Sequence, residues 1–493
     1  MTTIPEIFAA LADSPRTAQQ AALVGSYTVT FSELFDNAQA RAAELRADGV
    51  DAGDVVAIVC YNEIALFEYL IAAGQLGAAL VPLSPALPDN DLISLVETSG
   101  ATLCYCSPAV GLDRISALDA RSPFGLRTIG VPSPVGAPAV PIDFPPADSL
   151  CWLSTTGGST ALPRLFATSH ELLLANLFIN AVEWGWTAHP FHLALAPLAH
   201  GIGFCNALGQ LVTGGTVLLV EKYSAKAAVE CLAPGGSTWT ALVPTMLHDI
   251  IEFAEREDAS SGHLGLVVSA GSSLASGLRD RAIQRGIRLI EYYGSTELGW
   301  VTMIEHRSGD PRDGLVGWPS IGATVRVVDS DGRPVTAGEI GRIERRGRNY
   351  TAPFERGMRT MTSGSSGQWE TSGDLAYVDE DGAAVIVGRE DDMIVIGGLN
   401  AYPIEIESVL RGHPSVVDAV VLGVEDERLG RTLVAWVEVR GAVGQSLEAD
   451  LLAHCAAALA GHKRPTAIRV VTALPRTASG KIDRRSASHV NRQ

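Results

Sequence analysis

Basic residues, cysteines and long apolar runs are all scarce in this chain of 493 residues. The chain has 37 Lys and Arg against 55 Asp and Glu, a net charge of −18. This argues against a nucleic-acid partner, because such proteins carry a basic domain. No stretch of about 18 apolar residues occurs, so we expect neither a membrane-spanning helix nor a membrane partner. The N-terminus lacks the basic flank and apolar core of a signal peptide, so we expect a cytoplasmic protein.

Signatures of several enzyme and metal-site classes are also missing. The seven cysteines stand mostly alone in apolar surroundings, which indicates buried free thiols. The pair Cys104 and Cys106 is too small for a zinc site, which needs four ligands. Asn206 stands where a dinucleotide fingerprint would have its third glycine, and no G-x-S-x-G nucleophile elbow is present. These absences argue against structural zinc, a nicotinamide enzyme and a serine hydrolase.

A large folded core is indicated by 47% hydrophobic and 19% charged residues. Apolar runs at 54–60 and 78–81 flank a helical pattern over 63–76, and this rhythm predicts a parallel α/β sheet covered on both faces. After about Gly322, short alternating runs with Asp-Gly turns predict hairpins. The last hundred residues mix helix and strand and are enough for a small α+β domain.

The first candidate functional segment is 156–164, Thr-Gly-Gly-Ser-Thr-Ala-Leu-Pro-Arg, which follows the apolar run 150–153. Small residues let several backbone N–H groups converge on one anion, and hydroxyls and a cation add to such a cradle. An ordinary loop is an equally good interpretation of this segment alone.

The second candidate, 292–297, follows the strand pattern at 288–290. Ligands of open α/β sheets lie at the carboxyl ends of strands, where Glu297 could hold Mg²⁺ and Tyr293 could stack on a base. Taken by itself, a plain turn with a solvated Glu297 is slightly favoured.

Three further segments are weak one by one. Asp374 follows a tight turn and could accept two ribose hydroxyls, the charged stretch 388–394 suits a hinge, and Lys481 lies on a glycine-bearing loop. Each of them is also typical of an ordinary surface turn.

In this order, the five segments resemble the adenylate-forming superfamily: acyl- and aryl-CoA synthetases, adenylation domains of nonribosomal peptide synthetases, and luciferases. The resemblance spans roughly 30–485. The sequence Gly-Gly-Ser-Thr in the glycine-rich loop looks most like that of the stand-alone aryl-acid AMP ligases. It implies an α/β fold, with a large N-terminal domain of α/β subdomains plus a distorted β-barrel at 1–390. It also implies a small mobile C-terminal α+β domain at 391–493.

The resemblance implies ATP and Mg²⁺ as cofactors. The implied ATP-binding residues are Thr156, Gly157, Gly158, Ser159, Thr160, Arg164, Gly271, Tyr293, Gly294, Asp374, Ile386 and Arg389. Within this set, the glycine-rich loop would hold the β- and γ-phosphates, Tyr293 would stack on adenine, and Asp374 with Arg389 would grip the ribose.

The implied catalytic residues are Lys481, Thr296, Glu297 and His200, with Asp391 as the hinge. Lys481 would bridge the substrate carboxylate and the α-phosphate, Thr296 would contact that phosphate, and Glu297 would bind Mg²⁺. His200 would gate the acyl pocket. In the family, the small domain then rotates about the hinge, which removes the lysine and forms a thiol tunnel.

The chemistry requires such a cation. A carboxylate is a poor acyl donor, so its attack on the α-phosphorus creates a mixed anhydride with AMP as the leaving group. Two anions must come together, and convergent positive charge stabilises the transition state. The sequence departs from the common pattern at Ala161 and Leu165, where glycine is usual, and at Arg164 and Val395, where lysine is usual.

The implied acid-binding residues are His200, Gly201, Gly203, Phe204, Asn206, Ala270, Gly271, Gly294 and Ser295. Amino-acid adenylation domains have an aspartate where Gly201 stands, so its absence argues against an α-amino acid, whose ammonium group would be costly to bury unpaired. Ligases for 2-hydroxybenzoates carry Asn and Ser at Gly201 and Asn206, so a salicylate-type acid is not favoured. Gly201 and Gly203 would leave room for an aryl or other bulky neutral acid.

The acceptor thiol stays open. The sequence of the glycine-rich loop favours an acyl or peptidyl carrier protein as acceptor, with coenzyme A as the alternative. We expect the enzyme to act in secondary metabolism. A catalytically silent ATP- or acyl-binding relative and a luciferase-like oxidase are the other candidates. We expect a monomer or homodimer.

Overall fold

The computed structural model describes residues 2–132, 144–155, 164–232, 238–257, 264–296, 298–310, 312–348, 350–361, 365–426, 428–439, 446–476 and 482–489. The chain forms two compact units. Unit 1 comprises Met1–Ala270, Ser295–Gly299 and Arg348–Ser366. Unit 2 comprises Gly271–Gly294, Trp300–Gly347 and Gly367–Gln493.

The α-helices in the described ranges are α1 (Ile4–Asp13), α2 (Phe31–Ala47), α3 (Ile64–Gln75), α4 (Asp89–Ser99), α5 (Leu112–Asp119), α6 (His170–Trp184), α7 (Gly201–Val212), α8 (Ala225–Glu230), α9 (Pro244–Arg256), α10 (Ser276–Gln284), α11 (Pro403–Arg411), α12 (Leu447–Ala458) and α13 (Arg484–His489). Short 3₁₀ turns lie at Pro108–Val110, Trp186–Ala188 and Gly461–Lys463.

The strands are β1 (Ala21–Val24), β2 (Thr28–Thr30), β3 (Val55–Val59), β4 (Ala79–Leu83), β5 (Leu103–Cys106), β6 (Gly125–Thr128), β7 (Leu150–Thr155), β8 (Leu165–Ser169), β9 (Phe191–Ala194), β10 (Thr216–Leu219), β11 (Thr238–Leu242), β12 (Leu264–Ser269), β13 (Arg288–Ser295), β14 (Gly299–Glu305), β15 (Leu315–Pro319), β16 (Ala323–Val328), β17 (Gly341–Arg348), β18 (Ala352–Pro353), β19 (Ser365–Glu370), β20 (Asp374–Val378), β21 (Ala384–Arg389), β22 (Ile394–Ile396), β23 (Leu399–Ala401), β24 (Val416–Asp426), β25 (Gly430–Val439) and β26 (Ala467–Val471).

Unit 1 contains two sheets built mainly from parallel strands. One has the order β18-β8-β7-β4-β3-β5-β6, and its β3, β4, β5, β6 and β7 pair in parallel. The other runs β12-β11-β9-β10-β1-β2 and is parallel from β12 to β1. Every side chain of β4 and β8 is buried, as expected for sheets covered on both faces.

Helix α7 of unit 1 carries four of the predicted acid-binding residues, namely Gly201, Gly203, Phe204 and Asn206. It connects β9 to β10 and packs against β9, β10 and β11. From Gly203 to Val212 all of its residues are buried, so the helix is part of the core and only its first turn is partly open. A helix fixed in this way gives the side chains of its first turns well-defined positions.

Unit 2 is largely antiparallel. Its strands follow the order β16-β17-β20-β21-β15-β14-β13, with β19 beside β17. The predicted hairpins are present, because β16 and β17, and also β20 and β21, pair antiparallel. The β20–β21 register sets Asp374 opposite Arg389, at the ends of the two strands. This pairing carries the nucleotide-binding candidates of unit 2.

The C-terminal part of unit 2 contains a three-stranded sheet in the order β24-β25-β26, packed with α11 and α12 around an apolar core. The predicted fold class is confirmed as mixed α/β, with a large N-terminal region of sheets and a small C-terminal α+β domain. The barrel shape, the mobility and the boundary at 390 stay predictions. None of the helices in the described ranges is long and apolar enough to cross a bilayer.

Local sequence explains where some of these elements begin. A capping box starts α2: Thr30 Oγ1 accepts from the N–H of Glu33, and the Glu33 carboxylate accepts from the N–H of Thr30 at 2.8 Å. Proline in the first turn of α11 is equally typical, because its missing N–H would have no helical partner there.

Candidate functional site

The glycine-rich segment connects two antiparallel strands. Thr155 at the end of β7 pairs with Leu165 at the start of β8, so both ends of the segment leave from neighbouring points of the sheet. Arg164, just before β8, is exposed. The other predicted residues of this loop, 156–160, lie outside the described residues, as do Glu297 and Lys481.

A polar cluster in unit 2 brings together three residues predicted from separate segments. The Tyr293 hydroxyl donates to Asp374 Oδ2 and lies 2.9 Å from Ser372 Oγ. Ser372 Oγ donates to the same carboxylate at 2.6 Å. Arg389 Nη1 lies 3.7 Å from Asp374 Oδ1, and Arg389 Nη2 donates to the Ser372 carbonyl at 3.1 Å. Asp374 is therefore fixed from both sides.

The cluster has spare hydrogen-bonding capacity for a nucleotide. A carboxylate has about four acceptor positions, so Asp374 can accept further hydroxyl donors beside its present partners. Burial and the neighbouring Asp374 carboxylate raise the pKa of Tyr293 well above its ordinary value, so its hydroxyl stays a donor. A ring anchored by its hydroxyl keeps a fixed orientation, which suits stacking on a base.

Glycines shape the backbone around this cluster. Gly373 has a φ of +81°, which only glycine adopts without strain, and its N–H donates to Thr371 Oγ1 at 3.0 Å. Ile386, the other nucleotide candidate of β21, has its N–H bonded to the Gly314 carbonyl at 2.8 Å. A Cβ on Gly314 would lie 2.3 Å from the Ile386 carbonyl oxygen, so the two segments touch through their backbones.

Two residues that the sequence did not single out support the same region. Glu291, two residues before Tyr293 on β13, is buried and lies 2.8 Å from His306 Nε2. Its other oxygen accepts from the N–H of Leu274 at 3.3 Å, at the end of a turn that starts at Gly271. Burial raises the pKa of Glu291, although His306 opposes this effect. The spacing of Glu291 from Tyr293 was the one available signal, because alternate strand residues share a face.

The remaining residues of the second segment divide between the two units. Gly294 belongs to unit 2 and Ser295 and Thr296 to unit 1. Within unit 1, the Thr296 carbonyl accepts from Thr351 Oγ1 at 2.6 Å, and Ser295 Oγ accepts from the Leu298 N–H at 3.1 Å. These bonds fix the backbone directly around Glu297.

The turn at 270–271 lies at the end of β12. Ala270 is buried and its N–H donates to the Leu242 carbonyl at 3.2 Å, whereas Gly271 is exposed with a φ of +90°. An exposed, left-handed glycine directly after a parallel strand leaves its backbone open to a ligand.

The first turns of α7 form an aromatic, uncharged region. His200 precedes the helix, and the Phe204 N–H donates to the His200 carbonyl at 2.9 Å. The Phe204 ring stacks on Trp152 of β7, with centroids 4.5 Å apart and planes 22° from parallel. A Cβ on Gly201 would meet only Trp152 Cη2, at 3.8 Å, so there is space beside Gly201.

Gly203 does not leave room in the way the sequence suggests. A Cβ at this position would lie 2.4 Å from the Pro197 carbonyl oxygen and 2.6 Å from that of Ala196. The missing side chain lets the preceding backbone pack against the helix, so the expectation of acid space at Gly203 is wrong on geometric grounds. Of the two glycines, only Gly201 borders free space.

Asn206 presents one hydrogen-bonding atom for further use. Its Nδ2 donates to the Ile202 carbonyl at 2.6 Å, which fixes the orientation of the amide. Its Oδ1 is buried and has no partner within the described part of the chain, and the same holds for Trp152 Nε1. Buried polar atoms are normally paired, so one acceptor on α7 and one donor on Trp152 are available to a ligand or water.

The predicted hinge residue, Asp391, is exposed and lies in a turn in which the Asp392 N–H donates to the Arg389 carbonyl at 3.2 Å. Within unit 2, the structure thus brings Tyr293, Asp374 and Arg389 together and places Asp391 just beyond them in sequence. Within unit 1 it brings the α7 residues together with Trp152. No group of three or more metal-ligating side chains occurs among the described residues.

Comparison with known proteins shows the family of the chain. The family model of AMP-binding enzymes matches residues 11–353, and the model of their C-terminal domain matches 405–481. The chain belongs to the AMP-binding enzyme family. It is therefore an ATP-dependent acid–thiol ligase that forms an acyl-AMP, and ATP and Mg²⁺ are the cofactors of its family.

Named relatives cover almost the whole chain. A feruloyl-CoA synthase from Amycolatopsis is 33% identical over 465 residues, 93% of either chain. A fatty acid–[acyl-carrier-protein] ligase from Streptomyces coeruleorubidus is 28% identical over 94% of this chain and 92% of its own. The structure of an o-succinylbenzoate–CoA synthetase from Bacillus subtilis, in complex with ATP and a magnesium ion, aligns with a TM-score of 0.82. It is 24% identical, with coverage of 98% and 99%, so it is similar in fold.

Proposed function

We propose that this enzyme activates an aryl acid that carries no charged group besides its carboxylate, and that it transfers the acyl group to coenzyme A. The observation that carries the proposal is the acid region at the start of α7. It is walled by Trp152 and Phe204 and has free space at Gly201. The helix has no charged side chain to pair with an ammonium group or a second carboxylate.

The nucleotide would bind at the cluster of unit 2. Tyr293 would stack on adenine, Asp374 would accept the ribose hydroxyls, and Arg389 would hold that carboxylate in place. Ile386, Gly271 and Gly294 would complete this side. The hydroxyls and backbone N–H groups of 156–160, with Arg164, would hold the terminal phosphates, because small residues and a cation suit an anion.

In the first step, a substrate carboxylate oxygen attacks the α-phosphorus and pyrophosphate leaves. Lys481 would bridge the two anions, Thr296 would contact the α-phosphate, and Glu297 would hold Mg²⁺, whose charge assists phosphoryl chemistry when it is bound. In the second step, a thiolate attacks the acyl carbon and AMP leaves. His200 would gate the acyl pocket, and the C-terminal domain, 391–493, would rotate about Asp391 between the steps.

The acid is proposed to carry a hydroxyl group. An amide oxygen can only accept, and the bond from Asn206 Nδ2 to the Ile202 carbonyl fixes which of the two amide atoms is the unpaired oxygen. A phenolic hydroxyl would satisfy this buried acceptor, whereas an unsubstituted ring would leave it without a partner. Ala270 and Ser295 would border the same acid. The feruloyl-CoA synthase relative, at 33% identity, supports a hydroxylated aryl acid.

Coenzyme A is preferred as acceptor because the 33% identical relative is named as a CoA synthase. A carrier-protein thiol is the second candidate. It is favoured by the wording of the glycine-rich loop and by the acyl-carrier-protein ligase at 28% identity.

The test is acid-dependent pyrophosphate release with ferulate, 4-hydroxybenzoate, cinnamate, benzoate, phenylalanine and malonate. The proposal expects the hydroxylated aryl acids to give the highest kcat/KM. A preference for phenylalanine or malonate would overturn it. Mass spectrometry of reactions with coenzyme A or a phosphopantetheinylated carrier protein identifies the acceptor, and oxygen consumption would reveal luciferase-like chemistry.

A further inference from the structure

Two arginines lie on either side of the segment 477–481, and both are held by buried or partly buried carboxylates. Arg476 is the last described residue before this segment, and Ile482 is the first described residue after it. The two residues form an antiparallel bridge. The Asp483 N–H donates to the Pro475 carbonyl at 2.8 Å. The chain thus enters and leaves the segment through one paired stem.

The stem continues into the core of the C-terminal part. Ile482 packs against an apolar cluster that contains Trp436, Leu474 and Ala487, together with Val420 of β24. The stem therefore has an apolar side that packs on β24 and β25, and the adjoining arginines add polar contacts.

Arg484 holds the part of the stem that follows the segment 477–481. Its Nη2 lies 2.7 and 2.8 Å from the two oxygens of Glu407, and its Nη1 donates to the Val421 carbonyl at 3.2 Å. Glu407, on α11, is 3% exposed and also accepts from the Val421 N–H at 2.8 Å. A guanidinium with paired donors fixes direction as well as distance, so this contact orients the chain after Lys481.

Arg476 holds the part of the stem that precedes the segment 477–481. Its Nη2 lies 3.1 Å from Asp418 Oδ2 and 3.4 Å from Glu438 Oε2. The side chain of Asp418 is 9% exposed, and Glu438 also accepts from the Leu474 N–H at 2.9 Å. Both carboxylates belong to the same small sheet, so the two sides of the stem are tied to one rigid body.

We propose that Arg476 and Arg484 are positioning residues for Lys481. This inference rests on the proposed role of Lys481 as the cation that bridges the acid and the α-phosphate. A lysine has a flexible four-carbon chain, and a misplacement of about 1 Å at a reacting centre costs up to roughly 100-fold in rate. Because Arg476 and Arg484 tie the residues on both sides of the segment 477–481 to the small sheet and to α11, the arginines would assist acyl-AMP formation without touching either substrate.

The role differs from a general effect on stability because the lysine is needed in one half-reaction only. Acyl-AMP formation requires it, whereas transfer from acyl-AMP to a thiol does not. Arg484→Ala should slow acyl-AMP formation by about 10- to 100-fold with the KM values for ATP and acid changed little. Transfer of the acyl group from supplied acyl-AMP should stay within about twofold of wild type, because the acid is already activated.

The experiment uses the full-length enzyme with rapid-quench measurement of each half-reaction. Arg484→Lys should recover part of the lost rate, because it keeps the charge but not the paired geometry. Lys463→Met is the matched control: it breaks an ion pair of 2.7 Å with Glu405 in the same C-terminal part, away from the stem. Both half-reactions of this control should stay near wild type.

A second variant separates the stem from the hinge. Arg484 Nε also lies 3.9 Å from Asp392 Oδ2, next to the predicted hinge residue. If Asp392→Asn reproduced the full loss of Arg484→Ala, the arginine would act through the hinge and the proposal would be overturned. Near-normal acyl-AMP formation by Asp392→Asn supports the stem.

The remaining outcomes are also decisive. Equal loss of both half-reactions together with a lowered Tm would make the arginine structural only. If Lys481→Ala is slow but Arg484→Ala is as fast as wild type, the positioning proposal fails while the proposed function stands. If wild type forms no acyl-AMP from any acid in the panel, it is the proposed function that fails.

Discussion

The proposed acid region of unit 1, at the start of α7, is largely aromatic and apolar, whereas the proposed nucleotide cluster of unit 2 is a network of polar side chains. Around Asp374, polar groups already bond one another, through Tyr293, Ser372 and Arg389. At the start of α7, Phe204 stacks on Trp152, and the buried atoms Asn206 Oδ1 and Trp152 Nε1 lack partners in the described part of the chain.

The two clusters therefore offer a ligand different kinds of contact. A preformed polar network holds the same ligand with little rearrangement, since its groups are oriented before the ligand arrives. An apolar region with one open acceptor and one open donor selects against ligands that leave these atoms without a partner, because an unpaired buried polar group is costly. Perturbing the two regions should therefore have different kinetic signatures.

Among the variants that compare the two regions, the largest effect is expected at the nucleotide cluster. Asp374→Asn should lower kcat/KM for ATP by about 10- to 150-fold, the loss of one charged hydrogen-bond acceptor at about 1.5–3 kcal/mol. The ranking of acids should be unchanged. Glu344→Gln, which disrupts a 2.7 Å pair with Arg326 elsewhere in unit 2, is the control. A changed acid ranking with an unchanged KM for ATP would contradict the separation of the two regions.

The next effect distinguishes the two glycines of α7. Gly203→Ala should destabilise the fold by about 1–3 kcal/mol, because its Cβ meets backbone that has to move. Gly201→Ala has space and should leave stability within about 0.5 kcal/mol while favouring smaller acids. Urea unfolding measures both values. If Gly203→Ala were as stable as wild type, the packing argument would be wrong.

Buried histidines predict a dependence of unit 1 on pH. Burial lowers the pKa of His170 from 6.5 to about 3, so it is neutral in the fold and protonated in the unfolded chain below pH 6.5. Its stabilising contribution is complete above pH 6.5 and is lost as the pH falls from 6.5 towards 3, at about 1.4 kcal/mol per pH unit.

His170→Asn keeps an acceptor for the Ile4 N–H, which bonds His170 Nδ1 at 3.3 Å. It should therefore flatten the acid slope of the unfolding free energy by that amount. His192, whose pKa burial also lowers to about 3, stays in place and keeps a residual slope. An unchanged slope in the variant would show that His170 is not buried and neutral.

The smallest effect concerns selectivity. Asn206→Leu should reduce the preference for ferulate over cinnamate by about 2- to 10-fold, the worth of one neutral hydrogen bond. The KM for ATP should not change, which separates this variant from Asp374→Asn. A preference that survives the substitution would assign hydroxyl recognition to another atom, such as Trp152 Nε1.

The local elements of this fold could be predicted from sequence, and the tertiary contacts could not. The starts of α11 and α2 are set by neighbouring residues, namely a proline and a capping box, which are visible in the sequence itself. The strand Ala467–Val471 was missed, because it pairs in parallel with the distant β25 and has no adjoining hairpin turn to mark it.

For the candidate site, motifs identified Tyr293, Asp374 and Arg389, since each stands in a recognisable local segment. Glu291 and His306 were missed, because their contact depends on how β13 and the chain after β14 meet. Gly203 was misinterpreted for a related reason: only the fold shows which backbone lies against a glycine. The sequence thus indicated which residue types could bind a ligand, and the structure showed which of their atoms already have a hydrogen-bond or packing partner.

Lys481→Ala tests the account most directly, by comparing acid-dependent acyl-AMP formation in the variant and in wild type. The account predicts a kcat lower by about 100- to 1,000-fold with KM values for ATP and acid nearly unchanged, because the lysine acts mainly in the transition state. Acyl-AMP formation at the wild-type rate would contradict it.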